Sequence, residues 1–198
     1  MKKLITKING VAAAFLFVAA TTFTSCTNTG RDISNLQSKI DSLEKELKSF
    51  TDDKAVTKMR LAIFDTLDFD VYTNQRWNRV KESHGENIIV YYPDASTTQG
   101  LPDHIVEMQK MFTFAPDTRV VAHPVAFGTG EWTAAISVVE GTFTKPMPIG
   151  DEKFNQPNGK AFKYNVLTVG RWNKDNLITE EYLFWDNLDF MKQIGLTK

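Results

Sequence analysis

Near the C-terminus, Ile178-Thr179-Glu180-Glu181-Tyr182-Leu183-Phe184-Trp185-Asp186 sets three carboxylates among aromatic and β-favouring residues. A strand that only packs has little use for so many acids, because an unpaired charge is costly to bury, whereas a strand lining a ligand site does. Alternation places Ile178, Glu180, Tyr182, Phe184 and Asp186 on one face and Thr179, Glu181, Leu183 and Trp185 on the other. The sequence leaves open which face is inner, and only one of Glu180 and Glu181 can face inward. A carboxylate lifted in pKa by apolar surroundings can take a proton from an activated carbon or protonate a forming alkoxide. Asp186 and Glu180 are the candidates for that acid/base work. Asp186 equally suits the N-cap of a helix beginning near Asn187, and Glu180 a solvated or ion-paired strand position.

His123 shares an alternation face with Val121, Val125 and Phe127, so its imidazole is either a catalytic partner inside the fold or a neutral core histidine. His84 and His104 fall at expected helix ends, where capping or surface roles are the default. His104 and Glu107, at i,i+3, could share a metal, but no further ligands are evident, so neither metal nor cofactor is expected. Tyr182, Phe184, Trp132 and Trp77 are the candidate pocket aromatics, each with packing as its alternative reading. No Ser/His/Asp spacing, phosphate-binding loop or dinucleotide fingerprint is present, and Lys160 beside Gly159 lacks a P-loop context.

The elements that must position these residues fit one globular domain over residues 53–198. The whole chain has 198 residues, 42% of them hydrophobic and 12% aromatic, enough for a sizeable core. Twenty-three basic residues nearly balance 24 acidic ones, which removes the electrostatic footprint of a nucleic-acid binder and leaves small molecules or proteins as partners. Helical spacing of Val56, Met59, Ile63 and Leu67 predicts a helix to about residue 68, and a second is expected over Val71 to Glu82 with Trp77 and Val80 inward. Strands are expected at Asn87 to Tyr92, Arg119 to Phe127, Glu131 to Thr144, Phe162 to Trp172 and Leu177 to Trp185, with a short helix over Pro102 to Phe112. The loop Lys145 to Lys160, rich in Pro and Gly, is long enough to act as a lid. Long strands joined by tight turns make an α+β fold in which helices wrap a curved antiparallel sheet.

The N-terminus has its own organisation. Lys2, Lys3 and Lys7 precede an apolar segment, Val11 to Phe23, too short to span a bilayer and ending at Thr24-Ser25-Cys26. Residues 1–25 thus resemble a bacterial lipoprotein signal peptide. The resemblance implies cleavage before Cys26, the single cysteine, its lipidation, and residence in the cell envelope: the periplasmic face of the inner or outer membrane, or the cell surface. Residues 26–32 are then a tether. Over residues 33–52, Ile33, Leu36, Ile40, Leu43, Leu47 and Phe50 recur at 3-4-3-4-3 spacing, a heptad seam that serves as a stalk or as the contact of a parallel homodimer. Thr51-Asp52-Asp53 is expected to interrupt it and cap a new helix.

The order of helices, strand, helix and curved meander resembles the cone of the NTF2-like superfamily. The strand Ile178 to Asp186 with Gln193-Ile194-Gly195-Leu196, together with His123-Pro124, Gly130-Glu131-Trp132 and Gly141-Thr142-Phe143, is similar to the SnoaL-like polyketide cyclase, or ester cyclase, group over residues 55–197. That resemblance implies a cofactor-free carboxylate and histidine in the cone performing an intramolecular aldol closure, with Asp186 at the position of the family's strand-terminal acid. It also implies a small, mostly apolar molecule as ligand. Fold alone does not confer the activity, and a non-catalytic binding or interaction protein is the alternative.

Overall fold

The computed structural model describes residues 29–197. The expected signal peptide and the first three residues of the tether, with the lipidation site at Cys26, lie outside the described residues; the rest of the tether, from Thr29, is already helical. The chain divides between Leu47 and Lys48 into two units. In the first, residues 29–47 are helical, and Ile33, Leu36, Ile40, Leu43 and Leu47 are all exposed, Ile33 to 65%. The seam expected from the heptad is therefore open to solvent. Gln37 braces its turn by an i,i+4 bond to Asp41 at 2.8 Å.

This helix, α1, runs from Thr29 to Thr66, so the break expected at Thr51-Asp52-Asp53 does not occur. Asp52 is held within the helix by Lys48 at 2.7 Å. Asp53 turns its carboxylate outward to accept from the Gly130 backbone N–H and the Thr129 hydroxyl. The polar triplet caps a turn of the sheet, and the helix passes through it. Among the described residues no helix is long and apolar enough to cross a membrane.

The second unit is a six-stranded sheet covered by helices. Its strands are β1 (His84–Tyr91), β2 (Thr97–Gln99), β3 (Arg119–Thr129), β4 (Trp132–Thr142), β7 (Ala161–Trp172) and β8 (Ile178–Phe184), in the order β2-β1-β8-β7-β4-β3. All pairs are antiparallel except β1 with β8, which is parallel. Helix α2 covers Leu101–Phe114 and α3 covers Asn187–Gln193. The loop expected at Lys145 to Lys160 carries a small hairpin, β5 (Met147–Pro148) and β6 (Phe154–Asn155). Pro124 lies at a register shift of β3, an edge strand, where its missing donor interrupts no ladder.

The helix expected over Val71 to Glu82 is instead two short pieces. A π-helical turn, Leu67–Tyr72, continues from α1, and a 3-10 helix covers Trp77–Glu82. Gln75 between them has φ +56°, which an α-helix cannot absorb. The chain then enters β1 directly, so His84 is the first residue of a strand.

Inward residues of the sheet form the core. Ile88, Val90, Ala135, Trp172 and Ile178 pack with Phe64 of α1. A second cluster joins Val120, Val139, Phe143 and Phe162 to Phe190 and Ile194 at the C-terminus. Buried Arg60 closes one end, donating to Gly130 O at 2.6 Å, Asn173 O at 3.0 Å and Asn176 Oδ1 at 3.0 Å. Its guanidinium lies 5.8 Å from the Trp172 ring centroid.

Candidate functional site

Between the inner face of the sheet and its helices lies a cavity of about 410 Å³, within the size range of small-molecule sites. Its walls are mostly apolar, with Leu67, Met108, Met111, Val139, Val166 and Leu183 among them. Strand β8 contributes Glu181 and Leu183, and Trp185 just past its end continues the same face, opposite to that of Glu180.

A bulge sets this choice. Arg171 pairs with Glu180, but the next residue of β7, Trp172, pairs with Ile178, so Thr179 is an extra residue. Ile178 and Glu181, three apart and on opposite faces of an unbroken strand, both become buried.

Glu181 is only 4% exposed, yet it meets two histidines. His84 Nε2 stands 3.7 Å from its Oε1, and His104 Nε2 stands 3.5 Å from its Oε2. The two imidazole rings lie 5.1 Å apart. Each ring is held from behind: His84 Nδ1 lies 2.9 Å from Ser83 Oγ, and His104 Nδ1 lies 3.2 Å from the Tyr92 hydroxyl. The elements explain the convergence. His84 opens β1 and Tyr92 follows its end, and both line the cavity, with Ile88 and Val90 buried in the core between them. His104, Met108 and Met111 share the stripe of α2 that lines the cavity.

Burial lowers His104 to about 4, with His84 reinforcing and Glu181 opposing, so His104 is a neutral imidazole at neutral pH. Burial pushes the Glu181 carboxyl up, but the neighbouring His84 and His104 imidazoles outweigh it, and the carboxyl sits below its ordinary value. Burial raises Tyr92 to about 12. One donor atom from each of His84, His104 and Glu181 lies within 4.8 Å of the others, so these three residues could hold a metal ion. Glu107, weighed in the sequence as a partner of His104, lines the cavity but is paired with Lys110.

The sequence-predicted residues lie elsewhere. Asp186 is exposed and caps α3, its Oδ1 accepting from Asp189 N at 2.9 Å. Glu180 faces the opposite side of the sheet, bonded to Arg171 at 2.7 Å and the Tyr182 hydroxyl at 3.1 Å. Tyr182 stacks on Tyr91 with centroids 4.5 Å apart, and Trp132 packs against Tyr182 under Arg171. Phe184 is exposed on that same outer face, while Trp77 packs edge-on against Tyr72 and Phe112. None of these six lines the cavity.

His123 comes nearer. Its Nδ1 lies 2.8 Å from Asp65 Oδ1 and its Nε2 lies 2.8 Å from Asp68 Oδ2. Asp68 lines the cavity and also accepts from Ser137 Oγ at 2.6 Å. Burial alone would lower the His123 imidazole, but Asp68 and Asp65 outweigh it and hold it above its ordinary value. His123 is therefore a charged clasp between β3 and the end of α1, one step behind the cavity wall.

The sequence profile of the SnoaL-like polyketide cyclase family matches residues 65–194, about two thirds of the chain. No curated protein matches. A candidate SnoaL-like polyketide cyclase from Jannaschia sp. CCS1 has a similar structure, with TM-score 0.61, 16% identity, and coverage of 72% of this chain and 96% of that one. IdmH from Streptomyces antibioticus, a candidate polyketide cyclase, superposes with TM-score 0.58 at 18% identity over 69% of this chain and 98% of its own. An epoxide hydrolase of the LEH-like type from M. tuberculosis gives TM-score 0.53 at 12% identity, covering 70% and 90% of the two chains. At these identities the neighbours establish a shared fold, helices on a curved sheet, and nothing of substrate. With its profile matched across the sheet and the helices that enclose the cavity, the chain belongs to the SnoaL-like polyketide cyclase family.

Proposed function

We propose that this protein binds a small, mostly apolar molecule in the cavity between sheet and helices, and that Cys26 anchors it by lipid to the cell envelope. The observation that carries the binding reading is a cavity of about 410 Å³ whose mostly apolar wall is interrupted by a few polar groups, among them the buried cluster His84, His104 and Glu181. Apolar walls supply affinity, and a few convergent polar groups fix orientation. Native mass spectrometry of the purified protein is expected to show a bound small molecule. Val166→Trp, which places an indole in the cavity, is expected to abolish that occupancy without unfolding the chain. Undiminished occupancy in a folded Val166→Trp protein refutes the site. Anchoring is tested by Cys26→Ala, expected to shift the protein from the membrane to the soluble fraction.

Catalysis is a second reading, favoured by the two imidazoles that flank Glu181. A carboxylate beside imidazoles can pass a proton between carbon and oxygen of a bound carbonyl compound, the step that cyclase- or isomerase-type chemistry requires. It predicts that Glu181→Gln stops conversion of the bound molecule while leaving its affinity largely intact. If the molecule recovered from wild-type protein is chemically unchanged, the non-catalytic binding reading stands. The exposed heptad seam supports a parallel homodimer. Deletion of residues 27–50 is expected to halve the sedimentation mass, and an unchanged oligomer number leaves the helix a stalk.

A further inference from the structure

Ser83 carries one hydroxyl hydrogen, donated to the Val80 carbonyl at 3.0 Å. Ser83 Oγ therefore accepts the 2.9 Å bond from His84, which places a ring hydrogen on Nδ1 and leaves Nε2 as the nitrogen turned toward Glu181. That Nε2 is buried and has no hydrogen-bond partner among the described residues. It faces Glu181 Oε1, 3.7 Å away. A buried ring nitrogen without a bonded partner, set against a buried carboxylate, calls for positive charge at the pair, carried by a proton or by a metal ion. On the other side, His104 Nε2 approaches Oε2 at 3.5 Å. Both separations exceed the span of an N–H···O bond, roughly 2.7–3.2 Å. They run to different carboxylate oxygens, and one donor atom from each of the three residues lies within 4.8 Å of the others, so small side-chain shifts bring all three to the roughly 3.3–3.6 Å edges around a tetrahedral ion with ligands at about 2.0–2.2 Å.

We propose that His84 Nε2, His104 Nε2 and a Glu181 carboxylate oxygen bind one divalent first-row transition-metal ion, its remaining coordination positions turned toward the cavity. Two imidazoles and a carboxylate suit such an ion, whereas calcium and magnesium prefer an all-oxygen shell. The outer groups that orient metal-bound imidazoles are in place: Ser83 and Val80 behind His84 Nδ1, and Tyr92 behind His104 Nδ1. The ion would select a ligand that ends in an oxygen donor, such as a carboxylate or an enolisable carbonyl. Only this selection rests on the small-molecule reading; the metal site itself does not.

The test uses the untagged full chain, stripped by chelator and titrated with Co²⁺ as probe. One Co²⁺ per chain is expected, with visible absorption bands and a raised melting temperature. X-ray absorption of the loaded wild-type protein should show two imidazole nitrogens in the shell. His84→Ala and His104→Ala are expected to abolish the bands, and Ser83→Ala to weaken binding about 10–100-fold. Glu180→Gln, on the other face of the same strand, should leave the titration unchanged. Folded wild-type protein that binds no Co²⁺, or holds it in an all-oxygen shell, overturns the proposal even if the histidine variants fail to fold. A fluorescent apolar probe titrated in parallel separates the two readings. Probe binding without Co²⁺ binding overturns the metal site alone, and Co²⁺ binding without probe binding overturns the small-molecule reading alone.

Discussion

Replacing His123 by Gln removes the positive charge from a clasp that two carboxylates share. The ring lies 2.8 Å from both Asp65 Oδ1 and Asp68 Oδ2, and the two acids differ in what they contribute. Asp68 is 15% exposed, so its charge-assisted bond is worth about 1.5–3 kcal/mol. Asp65 is 54% exposed, and solvent screening reduces its share to about 0–1 kcal/mol. Below neutrality His123→Gln is therefore expected to cost roughly 1.5–4 kcal/mol in total. The pH dependence follows from the direction of the shift. The folded-state pKa is raised, so the stabilisation is fully present below the ordinary histidine value of about 6.5 and is lost as pH rises through the folded value. Urea denaturation of wild-type and His123→Gln proteins, at about pH 6 and about pH 9, reads the effect as the stability gap between them. The gap should narrow at the higher pH. Comparison with Asp68→Asn and the double variant isolates the main bond from other titrating groups. A gap that is the same at both pH values, or that widens as pH rises, refutes the assignment of a charged imidazole.

Three further outcomes test the structural account. Arg60→Ala leaves the carbonyls of Gly130 and Asn173 without their charged donor and is expected to cost about 2–4 kcal/mol in chemical denaturation. Gly141→Ala brings a Cβ to 2.7 Å from the Phe162 ring and 3.2 Å from the Thr118 Cα, an overpacking expected to lower stability by about 1–3 kcal/mol. Asp186→Ala removes the N-cap of α3 and should cost about 0.5–2 kcal/mol, whereas Asp186→Asn keeps a capping oxygen and should cost little. In calorimetric titration of the cavity ligand both Asp186 variants should match wild type, because that side chain does not line the cavity.

Periodicity in the sequence was a sound guide where one rule governed a segment. Strands β3, β4 and β7 end within a few residues of their expected bounds, because the turns at Gly130 and at Asn173 to Asn176 take positive φ at Gly130 and Asn176. It misled where a local irregularity changed the count. An unbroken alternation groups Ile178 with Glu180, but the extra residue at Thr179 moves the inner face to Glu181, Leu183 and Trp185. His84 was hidden by a helix expected to run through to Glu82, and alternation along β1 does not recover it, because the register against β8 shifts between His84 and Ile89 and Glu86, of the same parity, is exposed. His104 had a usable signal, the i, i+4, i+7 spacing with Met108 and Met111, but a helix-end histidine is ordinarily solvated. No local pattern could bring His84, His104 and Glu181 together, since they come from β1, α2 and β8 and meet only through sheet order and helix packing.

That sheet order has a consequence for how the protein is made. Strand β8 is nearly the last to leave the ribosome, yet it lies in the interior of the sheet, with β1 on one side and β7 on the other. Until it arrives, the nascent chain holds two separate pieces, β2-β1 and β7-β4-β3, each presenting an unpaired edge. Such edges invite pairing with other chains, and contacts this distant in sequence form slowly. Docking of this last strand is what joins the two pieces and sets Glu181 beside the histidines of β1 and α2. A chain truncated before Ile178 would lack the site and the middle of its sheet together, and it would expose both edges to chaperones, proteases or its own copies.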